Sequence, residues 1–110
     1  MKVINLGRGQ GKTIRLLYAS EWNDIPILCA SDKHKQHIID MAKELRLSIP
    51  EPITVSELTY ETIRAKDILR EKDMFVDEAH WVLQNMLKNM GMKGEIKAVT
   101  FTSDELKQGF

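Results

Sequence analysis

The chain has 110 residues, enough for one modest hydrophobic core, and predicts a single domain over residues 1–110. Its 16 basic residues balance 16 acidic ones, which argues against the charge-driven, non-specific nucleic-acid binding of a basic domain. Cys29 is the only cysteine, which excludes an intrachain disulfide and a multi-cysteine metal site and predicts a reducing, cytoplasmic location. The N-terminal apolar run is too short for a signal peptide or a membrane span, so we expect a soluble protein without a membrane partner.

The pattern along the chain alternates short apolar runs with amphipathic stretches, which is typical of an α/β fold with a small, mostly parallel sheet. Residues 2–6 predict the first strand, and a helix follows over about residues 12–22 until Asn23-Asp24 supplies a stop. Residues 25–30 predict the second strand. The next predicted elements are a helix capped by Ser31 or Asp32 and ending near Arg46 or Leu47, a brief edge strand at 53–55, a helical or irregular connection at 56–66 and a strand at 74–77.

The last part of the chain predicts one more helix and one more strand. Residues 80–90 have helical periodicity and place Leu83, Met86, Leu87 and Met90 on one face, which we expect to join the core. Gly91 is expected to end this helix. Residues 96–102 predict the last strand, and Ser103 can cap a terminal turn.

The glycine-rich stretch from Gly7 to Thr13 carries the strongest chemical signal. It reads Gly-Arg-Gly-Gln-Gly-Lys-Thr and directly follows an apolar run, where a phosphate-binding loop joins a strand to a helix. Glycines let backbone N–H groups surround a phosphate, the lysine can reach the β and γ phosphates, and the threonine hydroxyl can bind Mg²⁺. The alternative is a merely flexible loop. The predicted nucleotide-binding residues are Gly7, Arg8, Gly9, Gln10, Gly11, Lys12 and Thr13.

A second signal is the acidic pair Asp77-Glu78, which follows the apolar residues 74–76. Asp77 is predicted to hold Mg²⁺ through water, and Glu78 to polarise the water that attacks the γ phosphate. The sequence therefore predicts Lys12 and Glu78 as catalytic residues and Thr13 and Asp77 as the metal site. The alternative is an acidic helix start on the surface, because Asp and Glu favour first helical turns.

Together the two motifs resemble those of P-loop NTPases that carry a catalytic glutamate beside the Walker B aspartate, the group of RecA-like proteins and DEAH-box helicases. Residues 77–80 spell the Asp-Glu-Ala-His box. The loop departs from G-x-x-x-x-G-K-[ST] at Leu6 and resembles the variant loop of superfamily 1 and 2 helicases. The resemblance implies a three-layer P-loop core, with a sensor strand between the P-loop and Walker B strands, that binds ATP or another nucleoside triphosphate with Mg²⁺. In its economy the chain is similar to phage-encoded ATPases.

The resemblance also implies polar sensor residues near the γ phosphate. For the residues of the last strand the alternative is a solvated strand edge with a helix cap, and for the histidine it is an exposed polar residue at a helix start. The sensor candidates are Thr100, Thr102, Ser103 and His80.

Residues 27–32 resemble the strand and turn at which helicase cores often contact nucleic acid. The side chains of Lys33, His34, Lys35 and His37 follow and can meet phosphates, although a lysine-rich first helical turn is usually a solvated face. Nucleic acid is therefore a candidate partner that the overall charge does not predict.

We expect an ATP-binding P-loop protein that acts in DNA or RNA processing and hydrolyses ATP slowly alone. Efficient phosphoryl transfer usually needs an arginine from a neighbouring domain or subunit, so self-assembly, a larger protein partner or nucleic acid is expected to raise the rate. The alternative is a regulatory or interaction module that responds to nucleotide without hydrolysing it.

Overall fold

The computed structural model describes residues 11–58 and 73–98. The predicted strand at 2–6, the connection at 59–66 and the elements expected after residue 98 lie outside these ranges. Among the described residues no helix combines the length and apolar character needed to span a membrane. The described elements are helix α1 (Gly11–Asn23), strand β1 (Ile27–Cys29), helix α2 (Asp32–Glu44), strand β2 (Ile53–Thr54), a 3-10 helix (Val55–Leu58), strand β3 (Phe75–Val76) and helix α3 (Ala79–Asn89).

The three described strands form a parallel sheet in the order β2-β1-β3. Leu28 in the middle of β1 is in register with Ile53 of β2 on one side and with Val76 of β3 on the other. The expected α/β class and parallel sheet are confirmed for this part of the chain, as is a brief strand within 53–55. Because the strands are parallel, the residues that follow β1 and β3 meet at one edge of the sheet, where ligands gather in open α/β folds.

Strand β1 is buried on both faces, which explains its unbroken apolar sequence. On one face Ile27 packs in a cluster with Leu17 of α1 and Ile38 of α2. On the other face Leu28 packs in a cluster with Val82 of α3. Helices α1 and α2 therefore cover one side of β1 and helix α3 contributes to the other.

The helix ends follow local capping chemistry. The Ser31 hydroxyl accepts a hydrogen bond from the backbone N–H of His34 at 3.3 Å and so caps α2. Asp24 follows α1 with a φ of 53°, and Gly91 follows α3 with a φ of 94°. Left-handed residues of this kind commonly end helices. The predicted cap at Ser31 and the predicted stops after α1 and α3 are confirmed.

The predicted buried face of α3 is wrong. Leu83, Met86 and Met90 are exposed, Met90 to 78 %, and Val82 is the residue of α3 that is buried. The reason is a contact distant in sequence: the side-chain amide of Asn85 donates a 2.7 Å hydrogen bond to the carbonyl oxygen of Ala30. Residues three apart share a helix face, so this bond turns the face of Val82 and Asn85 toward the sheet.

The predicted last strand at 96–102 is also wrong over its described part, because residues 96–98 do not form a strand. The N–H of Ile96 donates to Oε1 of Gln84 at 2.6 Å, and the carbonyl oxygen of Gly94 accepts from Nε2 of the same side chain at 3.1 Å. The Gln84 side chain thus satisfies the N–H of Ile96, at the start of the predicted strand, and a carbonyl group of the turn before it.

Candidate functional site

The carboxyl edge of the sheet brings Thr13 and Asp77 together. Thr13 lies in the first turn of α1, and Asp77 directly follows β3. Oγ1 of Thr13 donates a hydrogen bond of 3.2 Å to Oδ1 of Asp77, although the two residues are 64 positions apart. Both residues are buried, and Asp77 is only 3 % exposed. A buried carboxylate needs hydrogen-bond partners, so the alternative of a surface acid at a helix start does not describe Asp77.

Lys12 and Glu78 meet beside this pair. Nζ of Lys12 lies 3.4 Å from Oε1 of Glu78, and both side chains are partly exposed. A partly exposed ion pair in water is weak, so the lysine can exchange the carboxylate for a phosphate at little cost. The two predicted catalytic residues therefore lie next to the two predicted metal-site residues.

Glu78 has a left-handed backbone, with a φ of 53° and a ψ of 59°. Its carbonyl oxygen accepts hydrogen bonds from the first turn of α3, whereas its side chain makes no capping bond. For a residue with a side chain this conformation costs about 1–2 kcal/mol. Strained residues concentrate at functional sites, and the turn at Glu78 leaves its carboxylate to Lys12 rather than to the helix end.

His34 is the residue of this site that sequence reasoning did not assign to it. Its Nε2 atom lies 2.9 Å from Oδ2 of Asp77, and its Nδ1 atom accepts a 3.1 Å hydrogen bond from the backbone N–H of Ala30. The ring is buried. Ser31 was the signal available in the sequence. It caps α2 just after β1, and the residue whose N–H it binds, His34, therefore lies in the first turn of α2 near the carboxyl end of β1.

Two of the side chains expected to meet nucleic-acid phosphates are engaged within the protein. His34 is buried against Asp77, and Nζ of Lys35 lies 3.0 Å from Glu51 and 3.1 Å from Glu57. Burial alone would lower the pKa of Lys35, but the hydrogen bonds and charges of the two glutamates raise it above its ordinary value of 10.5. Lys35 is therefore charged and paired with two glutamates of the same chain rather than presented to a phosphate.

A cavity of about 210 Å³ opens beside the paired residues. Hydroxyl and carboxylate groups of the site form one part of its wall. Histidine, tryptophan and methionine side chains form the rest. Its volume is enough for several water molecules. The lining residues are Thr13, His34, His37, Met41, Asp77, Glu78 and Trp81.

The donor set at Asp77 suits Mg²⁺. This ion prefers hard oxygen ligands, keeps several waters, and is usually bound through one or two carboxylates together with substrate phosphates. The Thr13 hydroxyl and the Asp77 carboxylate are oxygen donors in contact with each other. Within residues 11–58 and 73–98, no group of three or more His, Cys, Asp or Glu side chains converges on a possible metal position.

The remaining predicted site residues divide into two groups. Gly11 begins α1, and His80 is exposed with its Nε2 atom 3.4 Å from the carbonyl oxygen of Ile96 rather than beside Asp77. The others lie outside the described residues. These are Gly7, Arg8, Gly9 and Gln10 of the glycine loop and the sensor candidates Thr100, Thr102 and Ser103.

Comparison with known proteins identifies no relative. No protein-family model matches this chain, and neither the curated proteins nor the solved structures contain a match to it. The chemistry of the paired residues at the sheet edge is therefore the basis on which a function is assigned.

Proposed function

We propose that this protein binds a nucleoside triphosphate with Mg²⁺ at the carboxyl edge of the sheet and hydrolyses it slowly. The observation that carries the proposal is the 3.2 Å contact between Oγ1 of Thr13 and Oδ1 of Asp77. The motif chemistry requires these two oxygens at one metal ion, and they come from segments 64 positions apart. A flexible glycine loop alone gives no reason for a buried threonine-aspartate pair beside a lysine-glutamate pair.

Each residue has a distinct part in binding. The Lys12 ammonium would pair with the β and γ phosphates, and the N-terminus of α1 would add backbone N–H groups and a favourable dipole. The Thr13 hydroxyl and the Asp77 carboxylate, the latter through water, would hold Mg²⁺. The ion, when bound, would neutralise charge on the phosphate oxygens.

Glu78 would act as the base. As Lys12 moves to the phosphates, the Glu78 carboxylate becomes free to accept a proton from a water whose oxygen attacks the γ phosphorus. The bond between the γ phosphorus and the β–γ bridging oxygen breaks, and the products are the diphosphate and inorganic phosphate. Without an added positive charge from a second copy, a protein partner or nucleic acid, we expect the rate to stay low.

The proposed fold is a three-layer P-loop core. The parallel pairing of β1 and β3, and the hydrophobic clusters on both faces of β1, support it. In such a core a P-loop strand and a sensor strand would continue the order β2-β1-β3 beyond β3, with the sensor strand between the P-loop strand and β3. We take ATP as the nucleotide and DNA or RNA processing as the setting, on the resemblance to helicases.

A melting screen tests the proposal. A ligand that binds only the native state stabilises it, by about 2.7 kcal/mol at a concentration 100 times its Kd. We expect ATP with Mg²⁺ to raise the melting temperature of the wild type, and Lys12→Ala to lose most of that rise. Lys43→Ala, which removes an exposed lysine from the last turn of α2, is the matched control and should respond like the wild type. If neither ATP nor GTP raises the melting temperature, the proposal is wrong.

Phosphate release then separates hydrolysis from binding. We expect slow release by the wild type and background release by Glu78→Gln. A melting shift with equal, background release from both proteins would support the alternative function, a nucleotide-responsive module that does not hydrolyse its ligand.

A further inference from the structure

We propose that His34 is a positioning residue, a neutral imidazole that donates its Nε2–H to Asp77 and holds this carboxylate in place for Mg²⁺. This inference rests on the proposed function, because it concerns the same metal site. It adds a residue that neither the glycine loop nor the acidic pair contains.

The hydrogen bonds of the ring decide its tautomer. The backbone N–H of Ala30 can only donate, and it points to Nδ1 of His34 at 3.1 Å. A ring nitrogen that accepts a hydrogen bond carries no proton, so the single proton of the neutral ring is on Nε2. Nε2 lies 2.9 Å from Oδ2 of Asp77 and therefore donates to it.

Contacts with Ser31 and Trp81 also hold the His34 ring in position. The backbone N–H of His34 is bound by the Ser31 hydroxyl, which holds the first turn of α2 against the end of β1. The indole of Trp81 meets the imidazole edge to face, with ring centres 6.0 Å apart and planes at 81°. The ring therefore has little freedom to turn away from Asp77.

Asp77 is held at both oxygens as a result. Oδ2 accepts from His34 at 2.9 Å, and Oδ1 is the oxygen closer to the Thr13 hydroxyl, at 3.2 Å. A neutral donor orients the carboxylate without cancelling its negative charge, so the charge remains available to Mg²⁺. Hydrogen bonds to metal ligands of this kind typically change metal affinity or activity by about 10- to 100-fold.

The first test measures the Mg²⁺ concentration that gives half of the ATP-dependent rise in melting temperature. We expect His34→Phe, which keeps a ring without a donor, to need at least about tenfold more Mg²⁺ than the wild type. His34→Gln keeps an N–H donor, so its Mg²⁺ requirement should be close to that of the wild type. Lys43→Ala, which removes an exposed lysine from the last turn of the same helix, should need the same Mg²⁺ concentration as the wild type. The inference is overturned if folded His34→Phe keeps the wild-type requirement, or if Phe and Gln shift it equally.

The second test reads the tautomer in the wild-type protein and does not depend on a variant that folds. The ¹⁵N shifts of the three histidine side chains, assigned with single His→Gln variants, should show His34 protonated on Nε2 and bare on Nδ1. The opposite tautomer overturns the inference. If the wild type responds to ATP and Mg²⁺ but fails either test, this inference alone is wrong, whereas no response of the wild type removes the proposed function and the inference with it.

Discussion

The Lys12 ammonium lies 3.4 Å from the Glu78 carboxylate, so the two residues proposed to act on the γ phosphate neutralise each other. A phosphate that binds Lys12 has to take the place of this carboxylate. Its arrival would then both secure the nucleotide and release the base that activates water. In the proposed mechanism, nucleotide binding and release of the Glu78 carboxylate would therefore occur together.

The first prediction concerns the charge on Glu78. Glu78→Gln frees Lys12 and removes a negative charge near the phosphates, so we expect ATP to bind about two- to fivefold more tightly, as a partly exposed ion pair contributes up to about 1 kcal/mol. Phosphate release should fall to background. Titration with a fluorescent nucleotide measures the affinity, and Glu44→Gln, an exposed acid in the last turn of α2, is the control. Weaker binding by Glu78→Gln would contradict the proposed exchange.

The second prediction concerns the hydroxyl of Thr13. Thr13→Val keeps the shape of the side chain but removes a donor to the buried Asp77 carboxylate. We expect the free energy of unfolding to fall by about 1–3 kcal/mol, the usual penalty for a buried polar group that loses its partner. Thr13→Ser keeps the hydroxyl and should lose less. Urea denaturation of the three proteins measures the difference, and equal stability of Val and wild type would argue against the bond.

The third prediction concerns the bond between α3 and the end of β1. Asn85→Ala leaves the carbonyl oxygen of Ala30 without the side-chain amide that now lies 2.7 Å away. We expect a loss of about 1–3 kcal/mol in the free energy of unfolding. Asn89→Ala, on the exposed last turn of the same helix, should change stability by less than about 0.5 kcal/mol. Similar losses for the two variants would mean that the Ala30 contact contributes nothing of its own.

The fourth prediction concerns the pH dependence of stability at Glu57. Burial alone would raise the pKa of this carboxyl, but hydrogen bonds from Lys35 and Thr54 and the charge of Lys35 lower it below its ordinary value of 4.5. A lowered pKa in the folded state gives stability that is present above the unfolded pKa and lost as the pH falls through the folded one. The stability difference between wild type and Glu57→Gln should therefore be constant near neutral pH and shrink below about pH 4.5.

Chemical denaturation of both proteins across that range measures the effect. Lys35, the partner of Glu57, predicts a second loss of stability at alkaline pH. Its pKa is raised in the folded protein, so the stability that its charge contributes is lost as the pH rises through that folded-state pKa. A difference between the two proteins that does not change in acid would show that the charge of Glu57 is unimportant.

The fifth prediction concerns the only cysteine. Cys29 is fully buried, and its burial together with the negative charge of Asp77 raises its pKa to about 12. Since the thiolate is the reactive form, we expect no labelling by a thiol reagent in the folded protein and complete labelling in urea. Rapid labelling under native conditions would show that this strand opens readily.

The helix ends, and the position of Asp77 directly after a strand, could be predicted from the sequence because neighbouring residues determine them. Ser31 caps α2 through a residue three positions away, and Gly91 ends α3 by its own backbone conformation. Of the two side chains that hydrogen-bond to Asp77 within the described residues, only one could be predicted from the sequence. Motif chemistry points to Thr13, whereas a histidine among lysines looks like part of a solvated helical turn, and the burial of His34 depends on Asp77, 43 positions away.

The orientation of α3 could not be predicted for the same reason. Helix α3 carries apolar side chains on more than one of its faces, so the spacing of apolar residues does not determine which face is buried. The hydrogen bond from Asn85 to Ala30, across 55 positions, accompanies the face that packs on the sheet. Polar contacts between distant segments thus decided what hydrophobic spacing left open.

The backbone at Glu78 has a consequence for how this protein can change. A glycine there would adopt the left-handed turn without strain, so the more comfortable residue for the fold is one that has no carboxylate. Folding and the proposed hydrolysis therefore favour different amino acids at this position. A related chain without the proposed reaction would gain stability from glycine at position 78, so glutamate there is the residue expected where the proposed reaction is kept.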